Sequence, residues 1–123
     1  MKILVTGGAG FIGSAVAIKL LNRSDEVIGI DNHNDYYDPS LKEARLDRFV
    51  NLDRYTHIKM DIEDASAVKK VFDDHQFDGV VNLAAQAGVR YSIENPLAYI
   101  NTNIVGFCHI LEACRHNNVP HLV

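Results

Sequence analysis

The sequence predicts a doubly wound α/β fold, in which helices cover both faces of a parallel sheet. Short apolar runs alternate along the chain with stretches of helical periodicity, as strands alternate with crossover helices. The apolar runs lack the polar–apolar alternation of half-exposed strands, which is typical of strands buried on both faces. At 123 residues with 47% hydrophobic side chains, the chain has the composition of one folded domain rather than a disordered segment.

The first predicted elements are a strand, a helix and a second strand. The strands cover residues 3–5 and 26–30, and the helix covers residues 11–22. The helix is predicted from side chains that recur at intervals of three and four residues. Its expected inward face contains Ile12, Ala15, Val16, Lys19 and Leu20.

The middle of the chain is predicted to contain a loop, a short helix, a strand and a longer helix. The loop covers residues 32–39, the charged helix 40–49, the strand 56–60 and the second amphipathic helix 63–75. The run 42–54 mixes acidic and basic side chains, which is typical of a solvated face. The apolar face of the longer helix is expected to hold Ala65, Val68, Val71 and Phe72.

The last part of the chain is predicted to add a strand over residues 80–83 and a long helix. The helix begins at Asn95-Pro96, because Asn is a strong N-cap and Pro suits the first helical position, and it ends near Asn117. Since residues 121–123 only open a fifth strand, we expect the N-terminal part of a longer protein. One side of the helix carries Ile100, Ile104, Phe107, Cys108 and Leu111.

Charge and composition argue against several classes of partner. The net charge of −4 speaks against nucleic acid or an anionic membrane surface as the main partner. No apolar run approaches the roughly 20 residues that span a bilayer. Two cysteines and no recognisable targeting segment indicate a cytoplasmic protein, and no metal site is predicted.

The glycine-rich turn after the first strand is the first candidate ligand-binding motif. Gly7 permits a tight turn, Gly10 lets the backbone approach a pyrophosphate, and Gly13 lets the helix pack close to the strand. The N–H groups of the first helical turn then face the phosphates. An ordinary flexible strand–helix turn is the alternative.

An acidic residue at the end of the second strand completes the pattern. Asp31 lies about 20 residues after the glycines, where a carboxylate accepts hydrogen bonds from an adenosine ribose. A carboxylate there repels a 2′-phosphate, and no basic residue follows it before Lys42. The sequence therefore favours NAD over NADP, with a solvated strand-end Asp as the alternative.

Further motifs join these two, namely Asp31-Asn32, Asp61-Ile62 and the run Leu83-Ala84-Ala85-Gln86-Ala87. Together they resemble the extended short-chain dehydrogenase/reductases, the NAD-dependent epimerase/dehydratase family. Residues 87–96 are most similar to bacterial UDP-glucuronate 4-epimerases, the nucleotide-sugar epimerases of polysaccharide synthesis. The resemblance implies a Rossmann-type doubly wound parallel sheet, truncated at the start of strand 5, that binds NAD and serves a UDP-sugar substrate.

The resemblance also implies a role for individual residues along the cofactor. The implied contacts are Phe11 and Ile12 at the pyrophosphate, Asp31 and Asn32 at the ribose, Asp61 and Ile62 at the adenine, and Leu83, Ala84, Ala85 and Gln86 towards the nicotinamide. Asp61 has a structural alternative as the cap of the helix over 63–75. Asn103 is expected to hold the loop after strand 4 and the cofactor, or to be a satisfied buried amide.

Two residues after strand 4 are candidates for contact with the substrate. Arg90 and Ser92 follow the carboxyl end of that strand, where ligands of doubly wound sheets bind. An arginine there could pair with a hexuronate carboxylate or a diphosphate. An exposed arginine bonded to loop carbonyls is the alternative.

Family chemistry requires a Tyr-x-x-x-Lys pair on the helix after strand 5, with the Tyr as base on the sugar 4-hydroxyl. Tyr55 and Lys59 match that spacing, but on a strand they lie about 13 Å apart, so no catalytic residue is predicted. The resemblance therefore implies the cofactor-binding part of a 4-epimerase, inactive alone, with a homodimer through the 96–117 helix. The alternatives are a nucleotide-sugar 4,6-dehydratase and a non-catalytic NAD-binding module.

Overall fold

The structure, a computed structural model, describes all residues from Met1 to Val123. Four strands form one parallel sheet in the order β3-β2-β1-β4, which confirms the predicted fold class. The strands are β1 (Lys2–Thr6), β2 (Glu26–Asp31), β3 (Tyr55–Lys59) and β4 (Gly79–Asn82). The helices are α1 (Phe11–Asn22), α2 (Pro39–Leu46), α3 (Ala65–Asp74), α4 (Tyr91–Glu94), α5 (Pro96–Tyr99) and α6 (Phe107–His116), with a π-helical segment (Ile100–Gly106) between the last two.

The last residues lie where the fifth strand is predicted, beside β4. Leu122 forms a single parallel bridge with Val80. The Val80 amide donates to the His121 carbonyl at 2.9 Å, and the Val123 amide donates to the Val80 carbonyl at 3.0 Å. None of the helices combines the length and the apolar character needed to cross a bilayer.

Two hydrophobic cores lie on opposite faces of the sheet. Leu4 and Ile28 face one core, which α3 and α6 cover, whereas Ile3 and Val27 face the other, which α1 and α2 cover. Successive strand residues therefore enter different cores, because side chains alternate between the faces of a sheet. Burial on both faces explains why these strands read as continuous apolar runs.

The buried face of α1 differs from the predicted one. The helix places Gly13, Ser14, Ala17 and Leu21 in the interior, whereas Ile12 is 61% exposed. A Cβ added at Gly13 would lie 2.0 Å from the Gly7 carbonyl oxygen. Close approach of α1 to the glycine-rich turn thus requires small residues inside. Of the predicted face, Val16 and Leu20 are partly buried against the core that α1 covers, as expected, whereas Ile12, Ala15 and Lys19 are exposed.

Helix caps fix where the later helices begin. Asp64 caps α3 by accepting hydrogen bonds from the Ser66 and Ala67 amides, both at 3.0 Å. The alternative role of Asp61 as that cap is therefore wrong. Val68, Val71 and Phe72 are buried as predicted, but Ala65 is exposed at the N-terminal end of α3.

The single helix predicted from Asn95 to Asn117 is three segments. Asn95 caps α5 as predicted, and the chain then widens into the π-helical segment before it resumes as α6. Gly106, Ile110 and Cys114 form the buried side. The predicted apolar side is exposed, and its members are Ile100, Ile104, Phe107, Cys108 and Leu111.

Candidate functional site

A cleft of about 310 Å³ opens at the carboxyl edge of the sheet. Loops that follow β1, β2, β3 and β4 converge there, which is where doubly wound sheets bind ligands. The cleft brings together eleven of the predicted cofactor-binding residues, namely Gly7, Gly10, Phe11, Asp31, Asn32, Asp61, Ile62, Leu83, Ala84, Ala85 and Gln86. Ile12, Gly13, Asn103, Arg90 and Ser92 lie outside its lining.

The glycine-rich turn lines the cleft next to the start of α1. Gly7 has a φ of +67°, which an L side chain adopts only with strain, and a Cβ there would lie 3.0 Å from the Leu83 carbonyl group. Gly10 caps α1 without a side-chain hydrogen bond, and no acidic residue occupies the first turn. The N-terminus of α1 is therefore open to an anionic group, as a pyrophosphate site requires.

Asp31 lies at the cleft with both carboxylate oxygens hydrogen-bonded. Its Oδ2 accepts from the Ala9 amide at 3.2 Å, and its Oδ1 accepts from the His33 amide at 2.9 Å. The Lys42 Nζ also donates to Oδ1, at 2.7 Å. The carboxylate is thus fixed at the predicted ribose position, next to the glycine-rich turn.

The ion pair with Lys42 corrects the prediction of a solvated face over 42–54. The Lys42 side chain is only 11% exposed, and Lys42 and Leu46 are the two buried residues of α2. Mixed charges along the run conceal a lysine that points inward. No pattern within the run reveals this lysine, because its partner Asp31 lies on β2.

A second pair of polar side chains joins the ends of β2 and β3. The Asn32 Nδ2 donates to Asp61 Oδ2 at 2.9 Å, and Asp61 Oδ1 accepts from the Glu63 amide at 2.9 Å. The next residue, Ile62, is buried, and its carbonyl accepts from the His109 Nδ1 at 2.9 Å. These bonds hold Asp61 and Ile62 at the end of the cleft predicted for adenine.

Thr6 and Asn103 both hydrogen-bond to the loop that follows β4. The buried Thr6 Oγ1 accepts from the Leu83 and Ala84 amides, each at 2.9 Å, and donates to Asn82 Oδ1 at 2.8 Å. The exposed Asn103 amide group bonds both the Gln86 N–H, at 2.8 Å, and the Gln86 carbonyl, at 3.2 Å. Sequence reasoning missed Thr6, which has no ligand-binding motif of its own.

The predicted substrate residues lie beside a group of tyrosines. Arg90 is exposed at the N-terminus of α4, and the Ser92 hydroxyl donates to the Val89 carbonyl. Tyr36, in the cleft lining, packs against Tyr91 with ring centroids 5.2 Å apart. The loops after β2 and β4 therefore meet over the cleft. The sequence reasoning missed this contact because it joins residues far apart in the chain.

A chain of three titratable side chains lies next to Asp31. The Tyr55 hydroxyl lies 3.1 Å from His57 Nδ1, and His57 Nε2 lies 2.8 Å from His33 Nε2. Burial, and then the charge of Asp31, raises the pKa of Tyr55 far above its usual range. Tyr55 therefore stays protonated and donates to His57 Nδ1, so we assign the neutral His57 tautomer that donates to His33.

Comparisons with a family model and with known proteins find matches along almost the whole chain. The family model described as GDP-mannose 4,6 dehydratase matches residues 4–122. The chain is 55% identical over its full length to Protein CapI from Staphylococcus aureus, covering 36% of that protein. It is 49% identical over 95% of its length to UDP-glucuronate 4-epimerase 3 from Arabidopsis thaliana, covering 27% of that protein.

Solved structures show the same likeness. A UDP-glucuronic acid 4-epimerase from Bacillus cereus, in complex with UDP-glucuronic acid and NAD, superposes with a TM-score of 0.89 at 36% identity, covering 99% of this chain and 38% of that one. A Thermus thermophilus UDP-glucose 4-epimerase in complex with NAD gives 0.82 at 33% identity, covering 99% and 36%. The chain thus spans about a third of the length of the relatives it matches.

Proposed function

This chain belongs to the GDP-mannose 4,6-dehydratase family, within the extended short-chain dehydrogenase/reductases, and we therefore propose that it is the NAD-binding part of a UDP-glucuronate 4-epimerase. The observation that carries the proposal is the convergence of eleven predicted contacts on one cleft. The alternative, a 4,6-dehydratase, shares the family model. UDP-glucuronate 4-epimerases from Arabidopsis thaliana nevertheless match this chain at 45–49% identity.

The residues that line the cleft suit a dinucleotide, because the glycines leave space for its pyrophosphate and the carboxylates can accept hydrogen bonds from its adenosine. Gly10 lines the cleft at the N-cap of α1, and a Cβ there would lie 3.0 Å from the Gly7 carbonyl oxygen, so the absence of a side chain leaves the α1 amides open to a pyrophosphate. In the proposed complex Asp31 accepts hydrogen bonds from the adenosine ribose, and Asp61 accepts one from the adenine amino group. Bound NAD supplies the hydride acceptor and donor at the sugar C4, oxidising it to a 4-keto intermediate and reducing it again.

The proposal places the acid–base chemistry outside these 123 residues. Tyr55 and Lys59 lie at the two ends of β3. The Tyr55 hydroxyl is hydrogen-bonded to His57, and Tyr55 does not line the cleft. The chain also covers only about a third of its relatives. We expect NMR of UDP-glucuronate mixed with this chain and NAD to show no C4 epimer.

Arg90 and Ser92 remain our proposed substrate contacts, and the helices after β4 our proposed dimer surface. The support for Arg90 is its exposure at the N-terminus of α4, on the segment that follows β4. In the full-length enzyme, Arg90→Ala should raise the KM for the UDP-sugar several-fold. The support for a homodimer is the exposed apolar side of the π-helical segment and α6.

Thermal unfolding with cofactor fragments tests the proposed function. NAD at a hundredfold excess over its Kd should stabilise the chain by about 2.7 kcal/mol. ADP-ribose should stabilise it too, because the glycine-rich turn, Asp31 and Asp61 all serve the adenosine diphosphate half. Nicotinamide mononucleotide should stabilise it far less. A melting temperature that neither NAD nor ADP-ribose raises would refute the proposal.

A further inference from the structure

A buried ion pair stands at the ribose end of the cleft. The Lys42 Nζ lies 2.7 Å from Asp31 Oδ1, and the two side chains are 11% and 5% exposed. Both residues line the cleft. A carboxylate and an ammonium group at this separation cancel most of each other's field at distances beyond the pair. The carboxylate expected to repel a 2′-phosphate is therefore not a bare negative charge.

The same helix brings a second cation to the cleft. Arg45 follows Lys42 by three residues on α2 and also lines the cleft. Its guanidinium carbon lies 5.9 Å from the centre of the Phe11 ring, and its Nη1 lies 3.5 Å from the Ala9 carbonyl oxygen. A phosphate placed beside Asp31 would thus meet two positive groups from α2.

The orientation of Asp31 does not depend on Lys42. The Ala9 amide holds one carboxylate oxygen and the His33 amide holds the other, so two backbone donors fix the side chain. The lysine adds a charge to a carboxylate that is already positioned. Its main effect is therefore on the electrostatic potential at the ribose hydroxyls rather than on their geometry.

We propose that Lys42 is a specificity-determining residue that weakens the rejection of NADP by Asp31, so that the native cleft binds NADP as well as NAD. The inference rests on the proposed function, because it requires that the cleft bind a nicotinamide dinucleotide. Asp31 favours the two ribose hydroxyls of NAD. Lys42 neutralises that carboxylate and offers its ammonium group to a 2′-phosphate, as lysines do at phosphate sites.

Calorimetric titration of NAD and NADP into the chain and its Lys42 variants tests the proposal. Lys42→Gln should raise the ratio of the NADP Kd to the NAD Kd by about tenfold, through weaker NADP binding. Lys42→Arg keeps the charge and should keep the ratio. Lys19→Gln, at an exposed lysine of α1 with no ion pair, is the matched control and should also keep it.

A second comparison, between Asp31→Asn and the double variant Asp31→Asn/Lys42→Gln, avoids the unpaired buried carboxylate that Lys42→Gln alone leaves. In Asp31→Asn the added Lys42→Gln change leaves no buried charge, because asparagine and glutamine are both neutral. There it should weaken NADP binding by about tenfold and leave NAD binding nearly unchanged. A double-mutant cycle over the four chains then measures the coupling of the two residues.

The outcomes separate this inference from the proposed function. A native chain that binds neither dinucleotide refutes the proposed function. A native chain that binds NAD, with variants that lose NAD and NADP affinity in equal proportion, shows that Lys42 is structural and overturns the inference. A native chain that binds NAD but not NADP overturns it, and so does a rise in NADP affinity on removing Lys42.

Discussion

At the scale of single residues, the Thr6 hydroxyl connects β1 to the loop after β4. Replacement by valine keeps the shape but leaves the Leu83 and Ala84 amides without their acceptor. We expect Thr6→Val to lower the free energy of unfolding by about 2 kcal/mol in urea denaturation. Thr56→Val, at an exposed position of β3, should change it by less than about 0.5 kcal/mol. Equal effects of the two changes would contradict this role of Thr6.

We expect His57 to make the stability of the fold depend on pH. Burial lowers its pKa below the ordinary value of 6.5, and the neighbouring His33 lowers it further. The unfolded chain therefore binds this proton more readily, so the free energy of unfolding falls as the pH drops below 6.5 towards the lowered pKa. Above 6.5 both states are neutral at His57, and its contribution is constant.

Urea denaturation at a series of pH values measures that dependence. His57→Gln should flatten the fall in unfolding free energy below about pH 6.5, whatever its effect on the absolute stability. His121→Gln, at an exposed histidine near the end of the chain, is the matched control and should keep the native slope. An unchanged slope in His57→Gln would show that this imidazole does not carry the effect.

Residues whose role follows from local chemistry could be predicted from the sequence. The glycine spacing and Asp31 are examples, because a turn and a strand end are local features. Lys42 and Tyr36 could not be predicted. Their partners, Asp31 and Tyr91, lie on other segments, and a lysine within a mixed-charge run has the same sequence pattern whether it points in or out.

At the scale of elements, the segment between α5 and α6 positions the loop after β4. Asn103 lies in its π-helical turns and bonds both backbone groups of Gln86. Because Asn103 is exposed, Asn103→Ala should change the unfolding free energy by less than about 1 kcal/mol. It should still weaken NAD binding several-fold in calorimetry, because the loop after β4 loses its two hydrogen bonds to Asn103. Asn101→Ala, on the same segment and also exposed, should leave NAD affinity unchanged.

The strands could be predicted within one residue at each end of β3 and β4, whereas the helices after β4 could not. Apolar runs buried on both faces leave an unambiguous pattern. A π-helical insertion adds one residue to a helical turn and has no characteristic amino-acid composition. The sequence therefore predicted one long helix there. The inward face of α1 was predicted only in part, for a related reason. Close packing selected Gly13 and Ala17 there, and small residues carry little hydrophobic signal.

At the scale of the whole molecule, the strand order follows from chain order and handedness. Right-handed crossovers place β2 and then β3 on one side of β1, and β4 on the other. The order reverses at β1, and this reversal opens the crevice between the loops after β1 and β4. The position of the cleft could therefore be predicted from the alternation of strands and helices alone. The ion pair of Asp31 and Lys42 at the ribose end of the cleft could not be predicted, because it depends on how α2 packs against the sheet.

The central claim is that the turn after β1 holds a dinucleotide pyrophosphate, and calorimetric titration of NAD into Gly10→Val tests it most directly. Gly10 has φ −73° and ψ 172°, which valine adopts readily, and its Cβ would lie 3.0 Å from the Gly7 carbonyl oxygen. A backbone shift of a few tenths of an ångström relieves that contact, so the fold should survive, and circular dichroism checks this. Ala15→Val, on the exposed side of α1, is the matched control. The native chain and Ala15→Val should bind NAD, while Gly10→Val should be folded and give no heat of binding. NAD binding to Gly10→Val with native affinity would contradict the claim.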